Sequence, residues 1–428
     1  MASRQQAVAV AGSPAAPPAA PLWAVQSLVF LASLGTGSVT NGIFFIAKQA
    51  CGFSAKENFG LGVLLGVTYI LGAIGVGPAL RRVAARHRAV SSRSVLVLLS
   101  VVMAGAAVLP RIAITGEGEE ATGAWSIWVA IGLFSPCSGA FWPIVESFLG
   151  GGRSGHKLRR AVGQFNIIWA ASVIAASWAM GPLLERHALE VLVGFGVVQL
   201  ASTLLVWPLG PEPGVHLPEH HEPHPPVYEA LLTTFRMLLP TSYYILSVWS
   251  PYAPSVMDRL GVGVAWQVPI AATWMLSRFV AFATMERWHG WQGRWWLVVV
   301  GVVGMVGGIV TALSAPFFGG GLGTPVLIAG LAVLGLGNGV IYSASLYYAM
   351  EVGKGEVEAG GTHEALIGVG FAGGPLTGWA AVALVGPGER GNVAILVALG
   401  AVLVVMGLAV GWRVWRAARA VRAATGKE

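Results

Sequence analysis

One arginine, Arg278, stands inside an otherwise apolar run, 264–284. If that run crosses a bilayer, a guanidinium there costs at least about 2.5–3.5 kcal/mol on insertion scales and marks a functional position by default. Gln267, Ala271, Trp274 and Arg278 fall on one helical face at i, i+4, i+7 and i+11. Planar charged donors beside an aromatic ring suit an anionic or carboxylate-bearing solute. Two structural readings compete. Arg278 lies about two turns from the nearer end of its run, so it could snorkel to the membrane surface. It could also pair with a Glu as a gate.

A second set of charges is marked by an internal repeat. Residues 132–182 and 337–387 match at a constant offset of 205. The shared order is apolar run, Glu, Gly-rich loop, apolar run, Gly-Pro. Glu146 and Glu351 occupy equivalent positions, and Glu364, beside His363, stands where the first copy has Arg159. This exchange of sign suggests charge pairs that close one side and break on opening, so Glu146, Arg159, Glu351 and Glu364 are gating candidates. Plain interfacial charges, or a carboxylate that carries a proton, are the alternatives.

Polar and aromatic groups within the apolar runs supply the rest. Asn41, Trp142, Asn166, Tyr243, Trp274, Asn338 and Tyr342 join Arg278 as substrate-binding candidates, with Thr40, Ser138 and Trp169 as further cavity-facing groups. Each has a packing alternative, since polar groups in spans also glue helices together. As a set they suggest a site that stacks on and hydrogen-bonds an organic solute. Gly-x-x-x-Gly spacings at Gly335–Gly339, Gly370–Gly374 and Gly374–Gly378 permit close helix approach. No cofactor and no metal site is expected. The two cysteines, Cys51 and Cys137, read as small apolar residues. The histidines of 210–226 (His216, His220, His221 and His224) read as solvated rather than as metal ligands. No Walker sequence is present, so nothing points to an ATP motor.

The elements that must position these groups follow from composition. The chain has 428 residues, of which 55% are hydrophobic and only 11% charged. A soluble protein carries about 25% charged residues, so this is an integral membrane protein with no visible catalytic globular domain. Twelve runs are long enough to span: 22–47, 60–80, 94–112, 124–148, 161–182, 188–208, 232–252, 264–284, 295–314, 324–349, 364–386 and 391–414. They are continuously apolar, as spanning helices are, and show no barrel-like alternation.

Residues 1–21 read as a disordered tail, 22–209 as a first six-helix bundle and 210–228 as a Pro/His-rich cytoplasmic linker. Residues 229–414 read as a second six-helix bundle and 415–428 as a basic tail on anionic lipid. With the N-terminus inside, 19 of the 26 Lys and Arg residues fall on the cytoplasmic side and both termini are cytoplasmic. That distribution accounts for the net charge of +7 without nucleic acid as a partner. Six runs per half make the repeat a parallel one, about an axis along the membrane normal.

The chain therefore resembles the major facilitator superfamily from about residue 22 to residue 412. The likeness rests on the twelve runs, the long central loop, the parallel repeat and a basic 2–3 loop. In that loop Gly77 and Arg82 fit the Gly-x-x-x-Asp-Arg-x-Gly-Arg signature of the family. Arg81, Ala84 and Ala85 depart from it. The resemblance implies an all-α polytopic protein of twelve transmembrane helices in two parallel-repeat six-helix bundles. It also implies secondary active transport by alternating access, commonly driven by protons. A small organic solute and the bilayer are the expected partners, in a monomer of the plasma (inner) membrane. A non-transporting sensor or scaffold on the same fold is the alternative, and no enzyme activity is expected.

Overall fold

The computed structural model describes residues 18–87, 89–116, 118–153, 155–214, 225–352, 357–386 and 388–425. Most of the expected N-terminal tail, the histidine-bearing stretch 215–224 and the last three residues lie outside them. Among the described residues the chain is all-helical, apart from one isolated antiparallel bridge between Thr115 and Thr122. Ten stretches are long and apolar enough to cross a membrane.

Five helices precede the central connection: α1 (Leu22–Cys51), α2 (Ala55–Arg86), α3 (Ser92–Ala113), α4 (Trp125–Gly150) and α5 (Gly155–Ala201). After it come α6 (Val227–Arg259), α7 (Val264–Ala271), α8 (Thr273–Arg287), α9 (Trp296–Ser314) and α10 (Gly319–Val352). The chain closes with α11 (Val357–Val385) and α12 (Glu389–Thr425). In apolar surroundings the backbone must satisfy its own hydrogen bonds, which is why each apolar run is helical throughout. The ends are set by local chemistry. Gly52 closes α1 in the left-handed conformation, at φ 67°, which a side chain would resist. Ser54 then opens α2 through a reciprocal capping box with Glu57.

Two boundaries differ from the apolar pattern. The runs 161–182 and 188–208 are joined in α5, whose one non-helical residue is His187 (φ −137°, ψ 40°). The intervening Leu183-Leu184-Glu185-Arg186 consists of good helix formers, so the chain redirects at a single residue instead of through a loop. Conversely, the run 264–284 is broken between α7 and α8 at Ala272 (φ −79°, ψ 1°), just after Pro269, which brings no N–H to the ladder. The break takes Gln267 off the face it was expected to share with Arg278. Gln267 instead donates to the Asp258 carboxylate at 3.0 Å and to the Val262 carbonyl at 3.1 Å.

Close approach, more than side-chain bulk, locks the centre, because lipid gives apolar helices no hydrophobic reason to associate. Helix α2 threads between α4 and α11 on small residues. A Cβ at Gly66 would overlap the backbone of Ala372 on α11, and one at Gly139 of α4 would overlap the Tyr69 carbonyl. On α10, a Cβ at Gly335 would overlap the Trp274 carbonyl, and Gly339 rests on the backbone of Arg278. The Gly335–Gly339 spacing is therefore the seat of α8. Outward-facing residues such as Leu71, Leu98, Ile112, Leu204 and Val405 are exposed, as a lipid-facing belt requires. Helix α12 continues through the basic run to Thr425.

Candidate functional site

Arg278 stays inside the protein and does not snorkel: it is 1% exposed. Its guanidinium carbon lies 4.5 Å from the ring centre of Tyr342, 4.9 Å from Trp169, 5.0 Å from Phe282 and 5.6 Å from Tyr243. Phe282 stands one turn on from Arg278 along α8, so those two meet by helical spacing alone. Tyr243 comes from α6, Tyr342 from α10 and Trp169 from α5, before the central connection. Nη2 donates to the Tyr243 hydroxyl at 2.9 Å. Nε and Nη1 are buried and have no hydrogen-bond partner among the described residues. The rings stabilise the cation by about 0.5–2 kcal/mol each without using its N–H donors.

Arg278 lines a central cavity with about 100 Å³ of free space, several times the roughly 10–15 Å³ that one water occupies. Helices from both halves of the chain wall it. Of the residues expected to bind solute, Asn41, Trp142, Tyr243, Trp274, Arg278 and Tyr342 line this cavity. The structure places two elsewhere. Asn338 is fully buried and reaches the Ser242 hydroxyl at 3.4 Å, tying α10 to α6. Asn166 borders a second space of about 420 Å³, with Arg159, Arg160, His156 and Glu286.

The four gating candidates also separate. Glu146 of α4 and Glu364 of α11 both line the central cavity. The Tyr69 hydroxyl of α2 donates to Glu364. One carboxyl from the second half of the chain thus meets a phenol from the first and shares the cavity with a carboxyl from it. Arg159 is exposed and lies in the second space, away from Glu364. Glu351 ends α10, and its side chain lies outside the described residues.

Tyr69 was missed by sequence reasoning. It is the one tyrosine in the apolar run 60–80 and carries that run's most reactive hydroxyl, which was the available signal. A second feature was also missed. At the opposite end of α1 from its first residue, Lys48 pairs with Asp258 of α6 and donates to the Pro254 carbonyl at 3.3 Å. Asp258 is the only aspartate in the sequence, a signal that composition offered and spacing did not.

No protein-family model and no curated protein matches the sequence. Solved structures do match. The chain is similar to the nucleoside transporter NupG, with a TM-score of 0.61 at 16% identity, covering 92% of this chain and 98% of that one. It is similar to a bacterial homolog of the human lysosomal transporter Spinster in its inward-facing, unoccupied conformation. That match has a TM-score of 0.62 at 13% identity and covers 93% and 96% of the two chains. The occupied form of the same homolog gives 0.61 at 15% identity. The chain therefore shares the fold of these solved transporters and, with ten stretches long and apolar enough to cross a membrane, is a multi-pass membrane protein.

Proposed function

We propose that this protein is a secondary active transporter that moves a small organic solute by alternating access. Counting α5 as two passes at His187, and adding α6 to the apolar stretches, gives twelve passes in two six-helix groups. The basic loops then face the cytoplasm with both termini, in the plasma membrane. The observation that carries this reading is Arg278: a buried charge with unpartnered donors, caged by rings from both halves of the chain, where transporters of this architecture place substrate. A site built by both halves is remade whenever they rock against each other.

Proton coupling is proposed on the Glu146–Glu364 pair. The two carboxyls come from opposite halves and line one cavity, so separating the halves changes the surroundings that decide whether each holds a proton. Glu146 and Glu364 serve here as gate and proton carrier together. Arg159 is assigned to the cytoplasmic vestibule with Asn166, and Glu351 to the rim. The deciding experiment is solute uptake into proteoliposomes with and without an imposed pH gradient. Uptake that ignores the gradient would remove the coupling. Tight binding with no flux in either direction would replace the transporter with a non-transporting sensor.

A further inference from the structure

We infer that the central cavity recognises a compact monocarboxylate with an apolar or aromatic body, held by Arg278 through its charge-assisted donors. This rests on the reading of the cavity as the solute site and names the class of solute. Three observations carry it. The first is the pair of buried, unpartnered donors, Nε and Nη1, on a side chain that lines the cavity. Buried polar groups in folded proteins find partners, and orphans require a reason. A guanidinium fork matches a carboxylate in plane and in spacing.

The second observation is how the cation is held. A cage of aromatic rings ordinarily serves to bind a ligand's ammonium group. Here the protein's own guanidinium fills the cage, with ring centres 4.5–5.6 Å from its carbon. The site therefore offers positive charge and does not seek it. Glu364, an acid that lines the same cavity, accepts from Tyr69.

The third observation is charge and surface. Among the described residues Arg278 is the one fixed cation lining the cavity, which also holds the carboxyl groups of Glu146 and Glu364. A phosphomonoester brings about −1.5 to −2 charges at neutral pH, which a single guanidinium leaves largely uncompensated. A carboxylate brings one. The cavity wall also includes Phe44, Trp142, Phe165 and Phe371, which offer stacking and apolar contact for the body of the solute.

The test uses purified full-length protein and calorimetric titration with benzoate, phenylacetate and indole-3-acetate, each against its own primary amide. The amide keeps the shape and removes the charge, so no variant is needed for the first comparison. At least one acid should bind 10-fold or more tightly than its amide. Arg278→Gln should abolish that preference, and Arg278→Lys should restore part of it. Equal binding of every acid and amide, no binding by any of the three acids, or an acid preference that survives in Arg278→Gln would each overturn the inference. Flux separates it from the transporter reading. An acid bound but never moved sinks transport and keeps the solute class, whereas flux of neutral solutes with no competition by any acid does the reverse.

Discussion

Two cations of this chain meet opposite fates. Lys48, at the end of α1, has an acid: it pairs with Asp258, and both side chains are substantially exposed, at 27% and 49%. Arg278, in the middle of α8, is 1% exposed and has a phenol and four rings but no acid among its hydrogen-bond partners. The first is the ordinary solution for a charge at a membrane boundary, where water screens the pair and the bond is worth little. The second is costly, because a buried guanidinium with no acid bonded to it forgoes the close ion pair that usually offsets desolvation. A position that costs stability and still holds a charge is a position where the charge has work to do on something else. The difference separates closing a helix bundle from recognising a solute.

The contrast breaks most sharply at Arg278. Arg278→Gln should cut uptake about 10- to 100-fold, the scale of losing a hydrogen bond to a charged group. The melting temperature should hold or rise, since a buried charge is removed. A variant that unfolds while substrate protects the wild type equally well would instead make Arg278 a structural residue. The next largest effect belongs to the seat beneath it. Gly335→Leu drives a side chain into the Trp274 carbonyl and should destabilise by about 1–3 kcal/mol, read as a lowered midpoint of thermal aggregation. Gly105→Leu, at a glycine with nothing within 4 Å, should leave that midpoint unchanged.

A smaller effect probes the carboxyl pair. Glu364→Gln keeps an oxygen able to accept from Tyr69 and removes the titratable proton, so it mimics the protonated acid and should fold normally. Accumulation driven by a pH gradient, inside alkaline, should fall about 10-fold, a cost of about 1.4 kcal/mol. Exchange of solute across the membrane without a gradient should persist, because binding does not need that proton to leave. Loss of both activities together would make Glu364 part of the solute site instead.

How much of this was legible in the sequence depended on whether a signal was local. Apolar runs of helical length require no partner to be recognised, so the all-helical membrane architecture was legible. Arg278 was legible for the same reason, as one charge against an apolar background. Its ring cage was partly legible, since Trp169, Tyr243 and Tyr342 are conspicuous in their runs. That Tyr69 meets Glu364 was not legible, because 295 residues separate them and the contact exists only when α2 packs against α11. Gln267 illustrates the opposite failure. Its helical spacing to Arg278 was correct as arithmetic, but Pro269 and the break at Ala272 changed the face. The Arg159–Glu364 equivalence was also sound as alignment, yet the two side chains face different spaces, since repeat position fixes a helix address and not a neighbour.

The smallest expected effect falls on the other member of the comparison. Lys48→Ala and Asp258→Ala, measured singly and together, form a double-mutant cycle across α1 and α6. Partly exposed pairs contribute about 0.2–1 kcal/mol, so the coupling in thermal stability should lie in that range and shrink in high salt. Transport should change less than about 5-fold, the equivalent of 1 kcal/mol. Gln267 also bonds Asp258 at 3.0 Å, so Asp258→Ala should cost slightly more than Lys48→Ala by removing one of the two hydrogen bonds of that amide. A coupling well above 1 kcal/mol in transport, but not in stability, would mean that the Lys48–Asp258 contact is made and broken during the cycle. The pair would then be a gate on the side of the bundle opposite to Arg159, and the two cations would differ in place along the solute's path and not in kind.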